Sequence, residues 1–270
     1  MFLISTFGFG LNRTFRSGTI GVFVMYWLIA VLCLIYVAVS SAVFYCIALF
    51  IWLFTFLFDK NLVFLHMFSS FWGSMYLWLM PTWIISTSGR EKIKKGRPYV
   101  IVSNHQSQLD ILIAYRLFFP FKWVSKIEIF RIPFIGWNMS LNRYIKLQRG
   151  KLGSIKQMLM DSEKTLRRGC SVYFFPEGTR SESGIVRKFM PGAFRLAKKL
   201  KLSILPIVIN GSRNALPKGS LIFRGKNHIR IEVLDELRYE EYADLSAKEI
   251  ADQVRERITA RVDEHNVPDK

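Results

Sequence analysis

Apolar and polar positions divide the chain into two unequal parts. Residues 17–58 carry no charge over 42 positions, and at a rise of ~1.5 Å per residue such a run is roughly twice the length that crosses a ~30 Å hydrocarbon core. It is also too long for a signal peptide. A second uncharged run, 61–89, contains His66, Ser69, Ser70 and Gly73 and is broken by Pro81, while its Trp72, Tyr76, Trp78 and Trp83 suit a membrane–water interface. Residues 1–88 therefore read as an N-terminal membrane segment: a helical hairpin within 17–58, turning near Ser40 and Ser41, then an interfacial helix over 61–80. Positive charge marks the cytoplasmic side, so Arg13 and Arg16 belong on the same side as the basic stretch after residue 90, which calls for an even number of crossings. One crossing by each uncharged run meets the same condition.

After residue 88 the period changes. The runs 99–103, 171–175, 203–209 and 228–234 are short, apolar or β-branched, and bounded by Gly, Pro or polar residues, so they predict strands. Helical patterns lie between and beyond them, over 110–118, over 154–168 with Gly169 as a stop, over 193–200, and over 246–261 behind a Ser-x-x-Glu capping box. Strands alternating with helices define an α/β domain, here 89–270, of ordinary single-domain size.

Charge sharpens the division. Residues 1–89 contain only Arg13, Arg16, Asp59 and Lys60 as charged positions, 90–234 hold 29 basic against 8 acidic residues, and 235–270 hold 6 against 11, for a chain total of +18. With 51% hydrophobic residues, a disordered or collagen-like chain is excluded. Cys33, Cys46 and Cys170 form no CxxC pair and are too few for a disulfide framework. The histidines other than His105 fall in the membrane region, a strand and the tail, so no metal site is expected. GxSxG, GxxxxGK[ST], HExxH and GxGxxG are all absent.

Two loops carry chemistry. Asn104-His105-Gln106-Ser107-Gln108-Leu109-Asp110 follows the 99–103 strand and opens the next helix. Residues five apart on an α-helix are rotated by about 140°, so a His105–Asp110 contact requires 105–109 to loop. A loop after a strand's carboxyl end is where α/β sheets place their sites. If Asp110 accepts from one ring nitrogen of His105, the other is free to take a proton from a bound hydroxyl, a dyad without a protein nucleophile. The bland alternative is a helix-capping Asp110 beside a loop histidine. Phe175-Pro176-Glu177-Gly178-Thr179-Arg180-Ser181 follows the 171–175 strand; glycine permits close backbone approach and Arg180 offers a planar fork suited to phosphate. Its bland alternative is an ordinary turn with a solvated charge pair. Further basic residues read mostly as solvated faces, which on a membrane-anchored domain would attract anionic headgroups, and the apolar stretch 127–137 suits either core packing or a dip into the bilayer.

Taken together, the two loops make this chain resemble the glycerolipid acyltransferases of the 1-acylglycerol-3-phosphate (lysophosphatidic acid) type. The family's NHxxxxD block matches 104–110, its Gly-to-Arg block resembles 136–149 with Lys126 and Glu128 ahead of it, its FPEGTRS block matches 175–181, and its Pro-containing strand resembles 206–211. One departure is Gln148, where the family often has an acidic residue before its arginine.

The resemblance implies a mixed sheet flanked by helices behind an N-terminal hydrophobic anchor. It implies acyl transfer from acyl-CoA or acyl-carrier protein to the sn-2 hydroxyl of 1-acylglycerol 3-phosphate, giving phosphatidic acid. His105 would be the general base and Asp110 its orienting partner; Lys126, Arg149 and Arg180 would grip the acceptor phosphate. Glu177 would organise the third block, with Gly178 and Thr179 beside it, and backbone N–H groups next to His105 would be the expected oxyanion donors. No metal or cofactor is implied beyond the thioester co-substrate. The expected partners are the lipid bilayer, the lysophospholipid and the donor, without nucleic acid, and the catalytic domain would lie on the cytoplasmic face. Rival readings are a same-fold acyltransferase using lyso-ornithine lipid, glycerol 3-phosphate or another lysophospholipid, and a non-catalytic basic module tethered to membrane.

Overall fold

The computed structural model describes residues 18–216 and 226–262. Two compact units divide the chain between residues 44 and 45. Helix α1 (Gly18–Thr55) begins in the first and ends in the second. The turn expected near Ser40 and Ser41 does not form. No Gly or Pro stands between residues 22 and 55 to break the helix, and the Ser40 hydroxyl donates back to the Tyr36 carbonyl at 2.6 Å, which satisfies it inside the helix. Within α1, Leu34–Thr55 is long and apolar enough to cross a membrane, and Leu34, Ile35, Val39 and Val43 are exposed. Arg13 and Arg16, on which the expected parity of crossings rested, lie outside the described residues.

In the second unit the expected boundary at residue 88 disappears. Helix α2 (Val63–Trp78) opens with Asp59 accepting the Phe64 N–H at 2.8 Å. It buries Leu65, His66, Ser69, Ser70, Trp72, Ser74 and Leu77, packing on α3 (Leu109–Tyr115). The polar residues of that uncharged run, His66, Ser69 and Ser70, are thus its inward edge. His66 joins the Tyr144 hydroxyl at 2.9 Å and the Phe119 carbonyl at 3.0 Å, and burial, reinforced by Lys122, lowers its pKa to about 3. Phe64, Phe71 and Trp78 remain exposed. Strand β1 (Trp83–Ser88), read from sequence as part of the second uncharged run, pairs in parallel with β7 (Asn227–Val233).

The other strands are β2 (Val100–Ser103), β3 (Phe121–Lys126), β4 (Ile145–Leu147), β5 (Ser171–Phe174) and β6 (Ile204–Asn210). Their order is β1-β7-β6-β2-β5-β3-β4. The five strands from β6 to β4 are mutually parallel, and β7 runs antiparallel to β6, so the sheet is mixed. Alternation sorts side chains onto two faces. Ile101, Trp123, Tyr173 and Ile207 meet α2, α3 and Met139 of α4 (Ile135–Leu141) on one face. Val100, Val102, Val172, Phe174 and Val208 meet α5 (Leu152–Arg167), α6 (Gly192–Leu200) and, beyond the short α7 (Ser212–Ala215), α8 (Ala247–Thr259) on the other. Ser246 caps α8 with the anticipated capping box.

The segment from β3 to β4 is folded tightly upon itself. Gly136 donates its N–H to the Ile132 carbonyl at 2.8 Å, and a Cβ there would stand 2.3 Å from the Phe130 carbonyl oxygen. Because the obstruction is backbone, Gly136→Ala should lower stability by about 1–3 kcal/mol, read as a reduced midpoint in denaturant. An unchanged midpoint would contradict this packing.

Candidate active site

Parallel neighbours end at one edge of the sheet. Val102 of β2 lies opposite Phe174 of β5, so the loops that follow, 104–108 and 175–181, rise side by side. Lys126 closes β3 opposite Leu147, which closes β4, and Arg149 stands two residues further on.

The first loop winds around Asp110, which is fully buried in the first turn of α3. Its Oδ2 accepts from His105 Nδ1 at 2.8 Å, from the Gln106 N–H at 2.7 Å and from the Ser107 N–H at 2.9 Å. Facing a carboxylate that already collects two amide protons, Nδ1 is the ring nitrogen that carries the hydrogen. Nε2 is left with its lone pair, and among the described residues it has no hydrogen-bond partner. Asn104 fixes the start of the loop by pairing with Ile209 of β6 through both amide atoms, at 2.8 and 2.9 Å. Ser107 fixes its end by donating to the Leu216 carbonyl at 2.7 Å. The His105 ring lies against Phe175, with centroids 3.9 Å apart and planes 19° from parallel.

The second loop turns at Gly178, whose φ of +70° favours glycine and whose N–H reaches the Phe175 carbonyl at 3.0 Å. Glu177 is buried, and its two oxygens take the His105 N–H at 2.7 Å and the Arg187 N–H at 3.0 Å. The Ser181 N–H returns to the His105 carbonyl at 2.8 Å. Glu177 therefore ties the two loops together. Burial pushes its pKa up to about 7, opposed by those two N–H donors.

These bonds correct one expectation. The N–H groups of His105, Gln106 and Ser107 are committed to Glu177 and Asp110, so the backbone beside His105 is not a free oxyanion donor.

Lys126 is exposed and pairs with Glu128 at 3.3 Å. Arg149 and Arg180 lie close enough that Arg180 helps to lower the Arg149 pKa, after partial burial and against the pull of Glu128. Among the described residues neither guanidinium has a carboxylate within salt-bridge distance. Thr179 is half-buried on the same loop. The edge thus combines a histidine whose Nε2 is free with arginines that repel one another. Sequence reasoning gave no separate role to Phe175, although its place directly after β5, beside the block's proline, puts it under the histidine.

Residues 84–210, which carry the His105–Asp110 pair and both arginines, match the Acyltransferase family model. The chain is similar in structure to the 1-acyl-sn-glycerophosphate (LPA) acyltransferase PlsC from Thermotoga maritima, with a TM-score of 0.72 and 22% identity over 86% of this chain and 93% of that one. A 1-acyl-sn-glycerol-3-phosphate acyltransferase of Borreliella burgdorferi is 31% identical across 69% of this chain and 74% of its own length. The chloroplastic LPAT1 of Arabidopsis thaliana and BAT2 of Brassica napus are 37% and 34% identical, and the matches span 46% and 59% of their lengths. The chain belongs to the 1-acyl-sn-glycerol-3-phosphate acyltransferase family.

Glu177 also leaves a signature in stability. Its folded-state pKa of about 7 exceeds the ordinary 4.5, so the native protein binds the extra proton and the contribution, complete below about pH 4.5, is lost as pH rises through 7. The full span is at most about 3 kcal/mol. Denaturant titrations from pH 4.5 to 7.5 should show the stability of wild type declining relative to Glu177→Gln, since the buried neutral His66 adds the opposite slope to both proteins alike. Parallel profiles would contradict the assignment.

Proposed function

We propose that this chain is a membrane-bound acyltransferase moving a fatty acyl group from acyl-CoA or acyl-carrier protein to the sn-2 hydroxyl of 1-acylglycerol 3-phosphate, forming phosphatidic acid. The observation that carries the reading is the His105–Asp110 pair, with Nε2 unengaged, at the sheet edge that also bears Arg149 and Arg180 without carboxylate partners. His105 Nε2 takes the acceptor's hydroxyl proton as the oxygen attacks the thioester carbonyl. Asp110 holds Nδ1–H and stabilises the imidazolium that forms. When the tetrahedral intermediate collapses, the thiolate leaves and the proton passes from Nε2 to sulfur. The protein contributes no nucleophile, and the step uses no metal or cofactor beyond the thioester.

Lys126, Arg149 and Arg180 receive the phosphate, whose charge removes the mutual repulsion of the arginines. Glu177, Gly178 and Thr179 shape the loop that presents Arg180. The apolar Leu34–Thr55 stretch holds the domain at the bilayer in which the acceptor resides, with the basic domain on the cytoplasmic face.

Phosphatidate formation by detergent-solubilised protein, measured with each donor separately, tests the reading. His105→Ala should reduce turnover by about 10²–10⁴-fold while the protein stays in the membrane fraction. Arg180→Ala should raise the acceptor KM roughly ten-fold or more and have little effect on a phosphate-free acceptor. Full activity in His105→Ala would remove the base from the mechanism, and equal impairment of phosphate-free acceptors would remove the phosphate grip. Transfer only to another lysophospholipid would move the acceptor assignment.

A further inference from the structure

The His105 ring is constrained at two places, and one of them is apolar. Asp110 Oδ2 holds Nδ1 at 2.8 Å. A single bond at one ring atom still leaves the ring free to tilt, and its plane is set by what lies against its face. Phe175 lies there, with centroids 3.9 Å apart and planes 19° from parallel.

Phe175 is itself held in place. It follows β5 directly, two residues after Tyr173, whose register partner on β3 is Trp123. Its ring lies 5.6 Å from that of Trp123, with planes 14° from parallel, and 5.4 Å from that of Tyr173. Trp123 and Tyr173 are buried in the core cluster against which Phe175 packs. The chemistry of the contact favours one state of the base. An aromatic face carries negative potential and attracts a cation laid over it, while a neutral ring gains little. His105 is 7% exposed, so the charge it acquires on taking a proton must be met by its neighbours and not by water.

We propose that Phe175 is a positioning residue for the transfer step: its ring fixes the plane of the His105 imidazole, which aims Nε2, and its negative face favours the imidazolium that forms as the hydroxyl proton is taken. The stack thus adds to the basicity of His105 in the state that the reaction needs. The proposal rests on His105 being the base. The charged groups bonded around His105 are Asp110 of α3, at Nδ1, and Glu177 of the second loop, which takes the His105 N–H on one oxygen and the Arg187 N–H on the other. Tyr173 of β5 is the titratable group packed against Phe175. All of these stay in place when the Phe175 side chain alone is changed.

The test is Phe175→Leu, and a ring-fluorinated phenylalanine at position 175, in the full chain, compared with wild type and His105→Ala in the phosphatidate assay. Leucine keeps an apolar side chain without an aromatic face. Fluorination keeps the shape of the ring but withdraws its negative potential, so it reads the same contact even where leucine fails to fold. Both changes should lower kcat, by about three- to ten-fold, with unchanged acceptor KM, and leucine should cost more because it also frees the imidazole plane. Both should move the acid limb of the kcat/KM profile to lower pH by about half a unit to one unit, because a ring without the aromatic face holds its proton less strongly. Unchanged rate and acid limb in the fluorinated protein, with His105→Ala inactive, would overturn the proposal and leave the base in place. A slower fluorinated protein with an acid limb unmoved, or moved to higher pH, would also overturn it, assigning Phe175 to packing or to exclusion of water. Undiminished transfer by His105→Ala would overturn the base and this inference together.

Discussion

Burial of the Asp110 carboxylate is the constraint on which the site depends. A carboxylate removed from water is tolerated only when donors replace its solvation, and here the replacements come from the residues just upstream. To reach Oδ2, the chain from His105 to Ser107 must curl back over the start of α3. That curl brings the His105 ring against Phe175 and its backbone within reach of Glu177 and Ser181. The loop has little freedom to adopt another conformation, since each alternative strands a buried negative charge. The shape of the loop and the placement of the His105 ring thus follow from one electrostatic requirement.

Topology supplies the rest. Among parallel strands every carboxyl end faces the same way, so Lys126, Arg149 and Arg180 reach one edge although as many as 54 residues separate them in sequence. Partial burial and then the neighbouring Arg180 lower the Arg149 pKa against the pull of Glu128, and among the described residues only Lys126 of the three has a carboxylate within salt-bridge distance. Such clustering works against folding and favours an anion. A pair of cations without a carboxylate is better explained by a ligand than by stability.

Legibility in the sequence followed how local the information was. Strands β2, β5 and β6 showed as apolar runs because both faces are buried, β7 showed through its alternating β-branched positions, and α8 showed through Ser246 and Glu249. The NHxxxxD spacing foretold a loop because five residues cannot bring two side chains together on a helix. Strand β3 was hidden by Lys122, a charged residue within a core strand. That side chain is buried, its ammonium lies 5.8 Å from the Tyr144 ring, and burial lowers its pKa to about 8. β4 has three residues, too few for a pattern. The hairpin expectation weighted Ser40 and Ser41 as breakers, yet serine can bond back to its own helix. Nor could sequence reveal that the histidine loop's own N–H groups are consumed, since Glu177 arrives from 72 residues away.

The same accounting of donors bears on the transition state. With the His105, Gln106 and Ser107 amides committed, negative charge developing on a thioester oxygen must be met from elsewhere. On the proposed reading the cationic side of the edge is committed to the acceptor phosphate, while Glu177 and Asp110 are acidic and turned toward backbone N–H groups. The oxyanion's donor is then neither in the histidine loop nor among the phosphate-binding cations, and acceptor recognition and stabilisation of the reaction's charge draw on separate groups.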